Sequence, residues 1–187
     1  METIVSKQIK QVMKGDQNAF NDIVDFYKDK VYQICFRMIG CQHEAEDLAQ
    51  ETFLRAYVNI GSFRQERKFS SWLYRIATNL CIDRIRKKKP DYYLDAEISG
   101  TDGLTLYSTI AAGEKRPDLQ VETLELQEMI QREILNLPEK YRVMIVLKYI
   151  DELSLLEISD MLGIPLGTVK TRIHRGREAL RKQLGKL

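Results

Sequence analysis

The chain has 187 residues, 44% of them hydrophobic and 30% charged, and its formal net charge is +2. This length suits two small domains of roughly 70–90 residues each, and the apolar content excludes a chain that is disordered throughout. Because the net charge is close to zero, composition alone gives no sign of nucleic-acid binding.

Charge is nevertheless unevenly distributed along the chain. Residues 1–90 hold 16 Lys and Arg against 11 Asp and Glu, residues 91–118 hold 2 against 6, and residues 167–187 hold 7 against 1. Two basic segments on a nearly neutral chain favour contact with a polyanion at defined places. Solvated helix faces are the alternative that composition leaves open.

The cysteines and the first residues predict a cytoplasmic protein. Cys35, Cys41 and Cys81 form an odd set without paired spacing, which is typical of a reducing compartment. Cys35, Cys41 and His43 suggest a metal site, but no CxxC or HxxxH spacing supports one. We find no signal peptide and no apolar run of membrane-spanning length.

Helical spacing of apolar residues dominates the first part of the chain. It predicts a helix that begins at Asp16, as N-cap, and ends at Gly40, followed by a second helix from about His43 to Ile60. On the second helix, the side away from the core stripe combines acidic and aliphatic residues: Asp47, Gln50, Glu51, Leu54 and Val58. This mixture favours a protein partner; the alternative is that another helix of the same domain covers the face.

A basic loop and a third helix then combine aromatic and cationic side chains. The loop spans residues 61–68, and the helix runs from about Phe69 to Lys88 and ends in a basic run before Pro90. Single-stranded DNA is bound by such pairings, because bases stack on rings while Lys and Arg contact phosphates. Trp72 shares a helix face with Phe69, although a lone Trp at helical spacing is usually a core residue.

Residues 90–118 are acidic, contain Pro and Gly, and lack a helical period, so we expect a linker between two domains. Helical spacing returns in two predicted helices, at about 120–136 and 139–150, which Pro138 separates. Nothing in the sequence repeats.

The strongest local signal is a helix-turn-helix near the C-terminus. Ser154 and Glu157 form a capping box for a short helix, Gly163 permits a tight turn, and Pro165 prevents the first helix from continuing. We expect Thr168 to cap the next helix, which is basic and would enter the DNA major groove. The alternative is a basic amphipathic helix at a chain end.

Four segments, in order along nearly the whole chain, resemble the signature runs of the extracytoplasmic-function (ECF) sigma factors of the sigma-70 family. They begin at Asp47 (DLAQETFLRAY), Phe69 (FSSWLYRIATN), Asn136 (NLPEKYR) and Gly163 (GIPLGTVKTR). The junction RKKKPDYYLDAE, from Arg86, resembles the sigma-W-type subgroup of Gram-positive bacteria.

The resemblance implies an all-α protein of two domains. Residues 1–90 would form a region 2-like helical bundle that binds core polymerase and recognises and melts the minus-10 element. Residues 91–118 would be a flexible acidic linker, and residues 119–187 a region 4-like helix-turn-helix domain that reads the minus-35 element.

The resemblance also implies three sets of site residues. The core-polymerase-binding set is Asp47, Gln50, Glu51 and Leu54. The minus-10 and melting set is Phe63, Arg64, Gln65, Phe69, Trp72, Arg75, Asn79, Arg84, Arg86 and Lys87. The minus-35 set is Lys170, Thr171, Arg172, His174, Arg175 and Arg177. Phe69 and Trp72 match positions at which larger sigma factors use aromatic residues to melt DNA. Leu73 stands where those factors carry a second Trp, which puts in doubt that this chain melts DNA with the same aromatic wedge.

The implied partners are core RNA polymerase, through its β′ clamp helices and β flap, promoter DNA, and a membrane-anchored anti-sigma factor. That factor would hold the chain at the inner face of the membrane, within an envelope-stress regulon. We expect no cofactor, metal, small-molecule substrate or catalytic residue.

Two other functions compete with this reading. One is a dimeric regulator that binds duplex operators without polymerase, which predicts a self-complementary interface. The other is a nuclease in which Asp47 and Glu51, one helical turn apart, hold Mg²⁺; no third ligand or base is evident.

Overall fold

A computed structural model of the chain describes residues 2–64, 68–88 and 117–185. These residues form helices and no strand, which confirms the predicted all-α class; no helix among them is both long and apolar enough to cross a bilayer. The helices are α1 (Glu2–Met13), α2 (Asn18–Ile39), α3 (Gln42–Val58), α4 (Phe69–Lys88), α5 (Pro117–Asn136), α6 (Glu139–Ile145, prolonged by a π-helical turn Val146–Ile150), α7 (Leu155–Leu162) and α8 (Leu166–Leu184).

The observed helix limits differ from the predicted ones mainly at the N-terminal ends. α1 is not among the predicted helices, although Val5, Ile9 and Val12 place a buried stripe on it. The Asp16 carboxylate caps α2 by accepting from the Asn18 N–H at 3.0 Å, while the helix itself begins at Asn18. α5 begins at Pro117, inside the segment assigned to the linker, most of which lies outside the described residues.

α2 lies at the centre of the N-terminal helices and packs against α1, α3 and α4. Ile23, Val31 and Ile34 of α2 and Leu73 of α4 are fully buried. Each such aliphatic side chain stabilises the fold by about 1.5–3 kcal/mol relative to exposure. The left-handed backbone of Gly40 (φ 78°) ends α2, as predicted.

The C-terminal helices are organised by a close crossing of α6 and α8. A Cβ at Gly176 of α8 would lie 3.0 Å from Ile145 Cγ1 and 3.4 Å from Tyr141 Cβ, so the absence of a side chain allows the approach. Val169 of α8 and Ile158 of α7 are buried in the same core. The position of α8 is thereby fixed by packing along its inner face.

The two halves of the chain are in contact. Arg37 of α2 donates to the Gln131 side chain of α5 at 2.8 Å, and Arg142 of α6 donates to the Met38 carbonyl of α2 at 2.7 Å. Leu135 of α5 packs directly over Gly40, where a Cβ would collide with it. This interface makes the described helices one packed unit.

We expect Gly40→Ala to destabilise the protein more than Gly15→Ala. Both glycines have positive φ, which costs an L-residue about 1–2 kcal/mol, but a Cβ at Gly15 meets no atom within 4 Å. At Gly40 the new Cβ would collide with the two methyl groups of the Leu135 side chain, which can shift, so the added overpacking is at the low end of its usual range, about 1 kcal/mol. Urea denaturation of both variants measures the difference; equal losses would contradict the described contact of the two halves.

Candidate nucleic-acid interface

The acidic and aliphatic face of α3, which we call the partner face (Asp47, Gln50, Glu51, Leu54, Val58), is open to solvent. Leu54 and Val58 are 63% and 79% exposed, and Asp47 and Gln50 are also exposed. Glu51 is half-buried and pairs with Arg55 one turn away, at 2.7 Å. The exposure of two aliphatic side chains contradicts the alternative that a helix of the same domain covers this face.

The aromatic side chains predicted to capture bases pack against one another. The ring centroids of Phe63, Phe69 and Trp72 form a triangle with sides of 5.3, 5.4 and 5.5 Å. Phe63 and Phe69 are buried and Trp72 is half-buried. Phe63 and Phe69 belong to the core of the N-terminal helices, where the Phe69 ring centroid also lies 5.7 Å from that of Tyr27, so stacking of a base on either Phe would require this part of the core to open.

Most of the remaining predicted minus-10 residues lie on α4. Arg75, Asn79 and Arg86 are exposed and, at spacings of four and seven, share one side of the helix. Lys87 and Arg64 are also exposed and Arg84 is half-buried, whereas Gln65 lies outside the described residues.

The helix-turn-helix forms as its sequence signals predict, with one exception. The Ser154 Oγ accepts from the Glu157 N–H at 3.2 Å while the Glu157 carboxylate accepts from the Ser154 N–H at 2.9 Å, which confirms the capping box. Gly163 has φ 66°, as the turn requires. The assignment of Thr168 as the cap of α8 is wrong: the helix begins at Leu166, directly after Pro165 (φ −58°), and the Pro165 carbonyl accepts from the Thr168 N–H at 2.8 Å.

α8 presents most of the predicted minus-35 residues to solvent. Val169, Ile173 and Gly176 form its buried stripe. The exposed residues on its other sides are Lys170, Thr171, His174, Arg175 and Arg177. Arg172 differs, since it is half-buried and lines a cleft between the two halves of the chain.

That cleft brings together residues from both predicted DNA-binding sets. Its volume is about 870 Å³, and its lining includes Asn79 and Arg86 of α4 and Arg172 of α8. At its edge Arg86 forms a two-pronged ion pair with Glu139, the first residue of α6, with N–O distances of 3.0 and 3.4 Å. Sequence reasoning missed this contact, because nothing in the sequence relates positions 53 residues apart.

A second ion pair also joins the halves. The Lys68 Nζ lies 2.7 Å from the Glu157 carboxylate, so the glutamate of the α7 capping box also meets the basic loop. The hydrogen bond from Lys68, together with those from Ser154, lowers the pKa of Glu157 to about 2. Lys68 is therefore a functional candidate beyond the predicted site residues.

Residues 23–90 match the family model of sigma-70 region 2, and residues 127–180 match that of sigma-70 region 4. The chain is 71% identical to the ECF RNA polymerase sigma factor SigW of Bacillus subtilis, over 98% of both proteins. The chain belongs to the ECF sigma factors. The resemblance found in its motifs, including that to the sigma-W-type subgroup, is thereby confirmed.

Other comparisons agree with this family assignment. The sigma factor is 34% identical to the ECF RNA polymerase sigma-E factor of Escherichia coli, over 92% of this chain and 90% of that protein. Among solved structures it resembles CnrH in complex with the cytosolic domain of CnrY, with a TM-score of 0.70, 24% identity and 98% coverage of both chains. It also resembles the sigma factor RpoE of Bartonella quintana in complex with the anti-sigma factor NepR, with a TM-score of 0.67, 20% identity and coverage of 89% and 96%. At these identities the structures support the fold.

Proposed function

We propose that this ECF sigma factor binds core RNA polymerase through the partner face of α3 and directs it to specific promoters. The observation that carries the proposal is the exposure of Leu54 and Val58 beside Asp47 and Glu51. Exposed aliphatic residues are stabilised when a partner covers them, and the surrounding carboxylates favour a basic surface. We assign this contact to the β′ clamp helices, with the β flap as a second contact.

We propose that the two DNA-reading surfaces lie in different halves of the chain. The exposed cations at the start of α8 would read the duplex minus-35 element, where Arg and Lys pair with guanine O6 and N7. The loop before Phe69, with α4, would recognise and hold unpaired minus-10 bases, which offsets an unpairing cost of a few kcal/mol. Opening of the Phe63, Phe69 and Trp72 cluster would supply the stacking surface.

We further propose that the chain is not an enzyme and requires no cofactor. Asp47 and Glu51, the pair considered as nuclease ligands, belong to no group of three possible metal ligands among the described residues. Their place on a face with Leu54 supports protein contact over catalysis.

The remaining partner, an anti-sigma factor, is proposed from the family to which the chain belongs. CnrH and the RpoE of Bartonella quintana were each solved with a second protein bound, an anti-sigma factor in the case of RpoE. We propose that a membrane-anchored anti-sigma factor restrains this chain in the cytoplasm, at the inner face of the membrane, within an envelope-stress regulon.

Run-off transcription with core polymerase and a promoter library tests the proposed function. Addition of the chain should produce defined start sites that core polymerase alone does not produce. Absence of any specific start would contradict the proposal, and tight binding of promoter duplex without polymerase would instead favour the dimeric regulator.

Asp47→Lys combined with Glu51→Lys should reduce polymerase binding by tenfold or more, because like charges would face the basic partner surface. Asp25→Lys with Asp29→Lys is the matched control, since it reverses two exposed acids at the same spacing on α2. Affinity for core polymerase is measured by fluorescence anisotropy, with helicity checked by circular dichroism. Equal losses in both variants would refute the assignment of the partner face.

Arg175→Ala should weaken promoter choice at one minus-35 position by about 1–3 kcal/mol if Arg175 reads a base. Arg181→Ala is the control, because Arg181 is exposed, pairs with Glu178 at 3.2 Å and lies beyond the first turns of α8. Holoenzyme binding to a set of minus-35 variants gives the measurement. A loss that is uniform across sequences would make Arg175 a phosphate contact.

A further inference from the structure

We propose that the free chain inhibits itself: its C-terminal helices close on α4, and Glu157 and Glu139 occupy the places of DNA phosphates at Lys68 and Arg86. This proposal rests on the proposed function, since it concerns the surface assigned to the minus-10 element. It adds a resting state of the chain by itself, before any partner binds.

The ion pairs supply the first argument. A carboxylate held by the two nitrogens of an Arg fork has the geometry with which that fork binds a phosphate, and Glu139 meets Arg86 in this way. Glu157 meets Lys68 at 2.7 Å, at the end of the basic loop. Both cations are the kind of group that single-stranded DNA would need free, and both carboxylates come from the other half of the chain.

The second argument is one of distance. Elements at minus-10 and minus-35 are about 25 base pairs apart, or about 85 Å at 3.4 Å per base pair. Asn79 and Arg86 nevertheless line the same cleft of about 870 Å³ as Arg172. α4, which carries most of the minus-10 residues, packs against α6 and α7 of the C-terminal half, and two halves packed in this way cannot reach elements about 85 Å apart. The two halves must therefore separate before initiation.

Packing, more than the ion pairs, holds the closed arrangement together. The cation of each ion pair, Lys68 or Arg86, is more than half exposed although its carboxylate is mostly covered, and solvent screening at the exposed end keeps the contribution of the pair small. Leu135 over Gly40 and the hydrogen bonds of Arg37 and Arg142 lie elsewhere in the interface. Removal of the carboxylates should therefore make Lys68 and Arg86 available to a phosphate while the chain stays folded and closed.

The test is Glu139→Gln combined with Glu157→Gln. Gln preserves the capping box of α7 and removes both ion pairs. The control is Asp160→Asn combined with Glu178→Gln, which removes the same charge from exposed or half-buried positions of α7 and α8. Binding of a fluorescent single-stranded oligonucleotide with the non-template minus-10 sequence is measured for each free chain and for each holoenzyme.

We expect the free test variant to bind the oligonucleotide about three- to tenfold more tightly than the free wild type, and the control variant to match the wild type. In the holoenzyme all three should bind equally, because polymerase separates the two halves. Equal binding by the free wild type and the free test variant, or an equal gain in the control, would overturn the proposal. Failure of the holoenzyme to initiate at any promoter would instead refute the proposed function.

The interface also holds a carboxyl group that should take up a proton when the two halves of the chain close on each other. Both oxygens of Asp151, at the end of α6, are buried without a hydrogen-bond partner among the described residues. Lys30 of α2 and Tyr74 of α4 face it across the interface. Burial raises the pKa of Asp151 to about 7, with Lys30 opposing the shift, and burial also raises the pKa of Tyr74, which keeps its phenol neutral.

The direction of the pH effect follows from the raised pKa. In the open chain, Asp151 meets water and ionises near its ordinary value of about 4, while in the closed chain it keeps its proton up to about pH 7. A rise in pH between these values therefore favours opening, and the effect levels off above about pH 7. Small-angle X-ray scattering should show that the radius of gyration rises from about pH 5.5 to about pH 7.

Asp151→Asn should abolish this trend and keep the chain closed, while Glu152→Gln, at the exposed neighbouring position, should retain it. Far-ultraviolet circular dichroism at each pH separates opening from unfolding. A wild-type chain that is extended at every pH would overturn the closed arrangement itself. If the radius of gyration still rises with pH in Asp151→Asn, Asp151 is not the group that causes the pH dependence.

Discussion

The half-buried guanidinium of Arg142 connects the ends of two helices that come from different halves of the chain. α2 ends at Ile39 and α5 at Asn136, and the last carbonyls of any helix lack partners within it. Arg142 donates to the Met38 carbonyl of α2 and to the Leu135 and Leu137 carbonyls around the end of α5. Its positive charge also lies where both helix dipoles are negative.

Several other features depend on this connection. It holds α6 beneath α2 and α4, which places Glu139 beside Arg86 and Asp151 beside Tyr74. α6 in turn supports α8 through the close crossing at Gly176. One side chain therefore positions both the acids that cover α4 and the helix assigned to the minus-35 element, although the two surfaces serve different parts of a promoter.

The part of the fold that the sequence predicts well is the part set by neighbouring residues. The helix-turn-helix follows from Ser154, Glu157 and Gly163, whose contacts span only a few positions. The Thr168 error has the same local origin: Thr is a good cap by type, but the fixed φ of Pro165 starts the helix earlier. α1 was missed because its buried stripe is short and no cap signal precedes it.

The contacts between the halves could not be predicted in this way. Lys68 and Glu157 are 89 residues apart, and each has an ordinary local role, in a basic loop and in a capping box. The exposure of Leu54 was expected from the helical period of α3, since the core stripe lies on the opposite side. The burial of Phe63 and Phe69 was not expected, because aromatic side chains can pack equally well on bases and on each other.

The two carboxylates over α4 also affect how binding responds to salt. DNA binding is weakened by salt because each phosphate that meets a protein cation releases a counterion. When DNA displaces Glu139 and Glu157 from Arg86 and Lys68, the freed carboxylates take up cations again, so fewer ions are released overall. The two carboxylates thus compete with DNA phosphates through contacts that salt also weakens. The affinity of the closed chain for DNA should therefore fall less steeply with salt than the affinity of the opened protein.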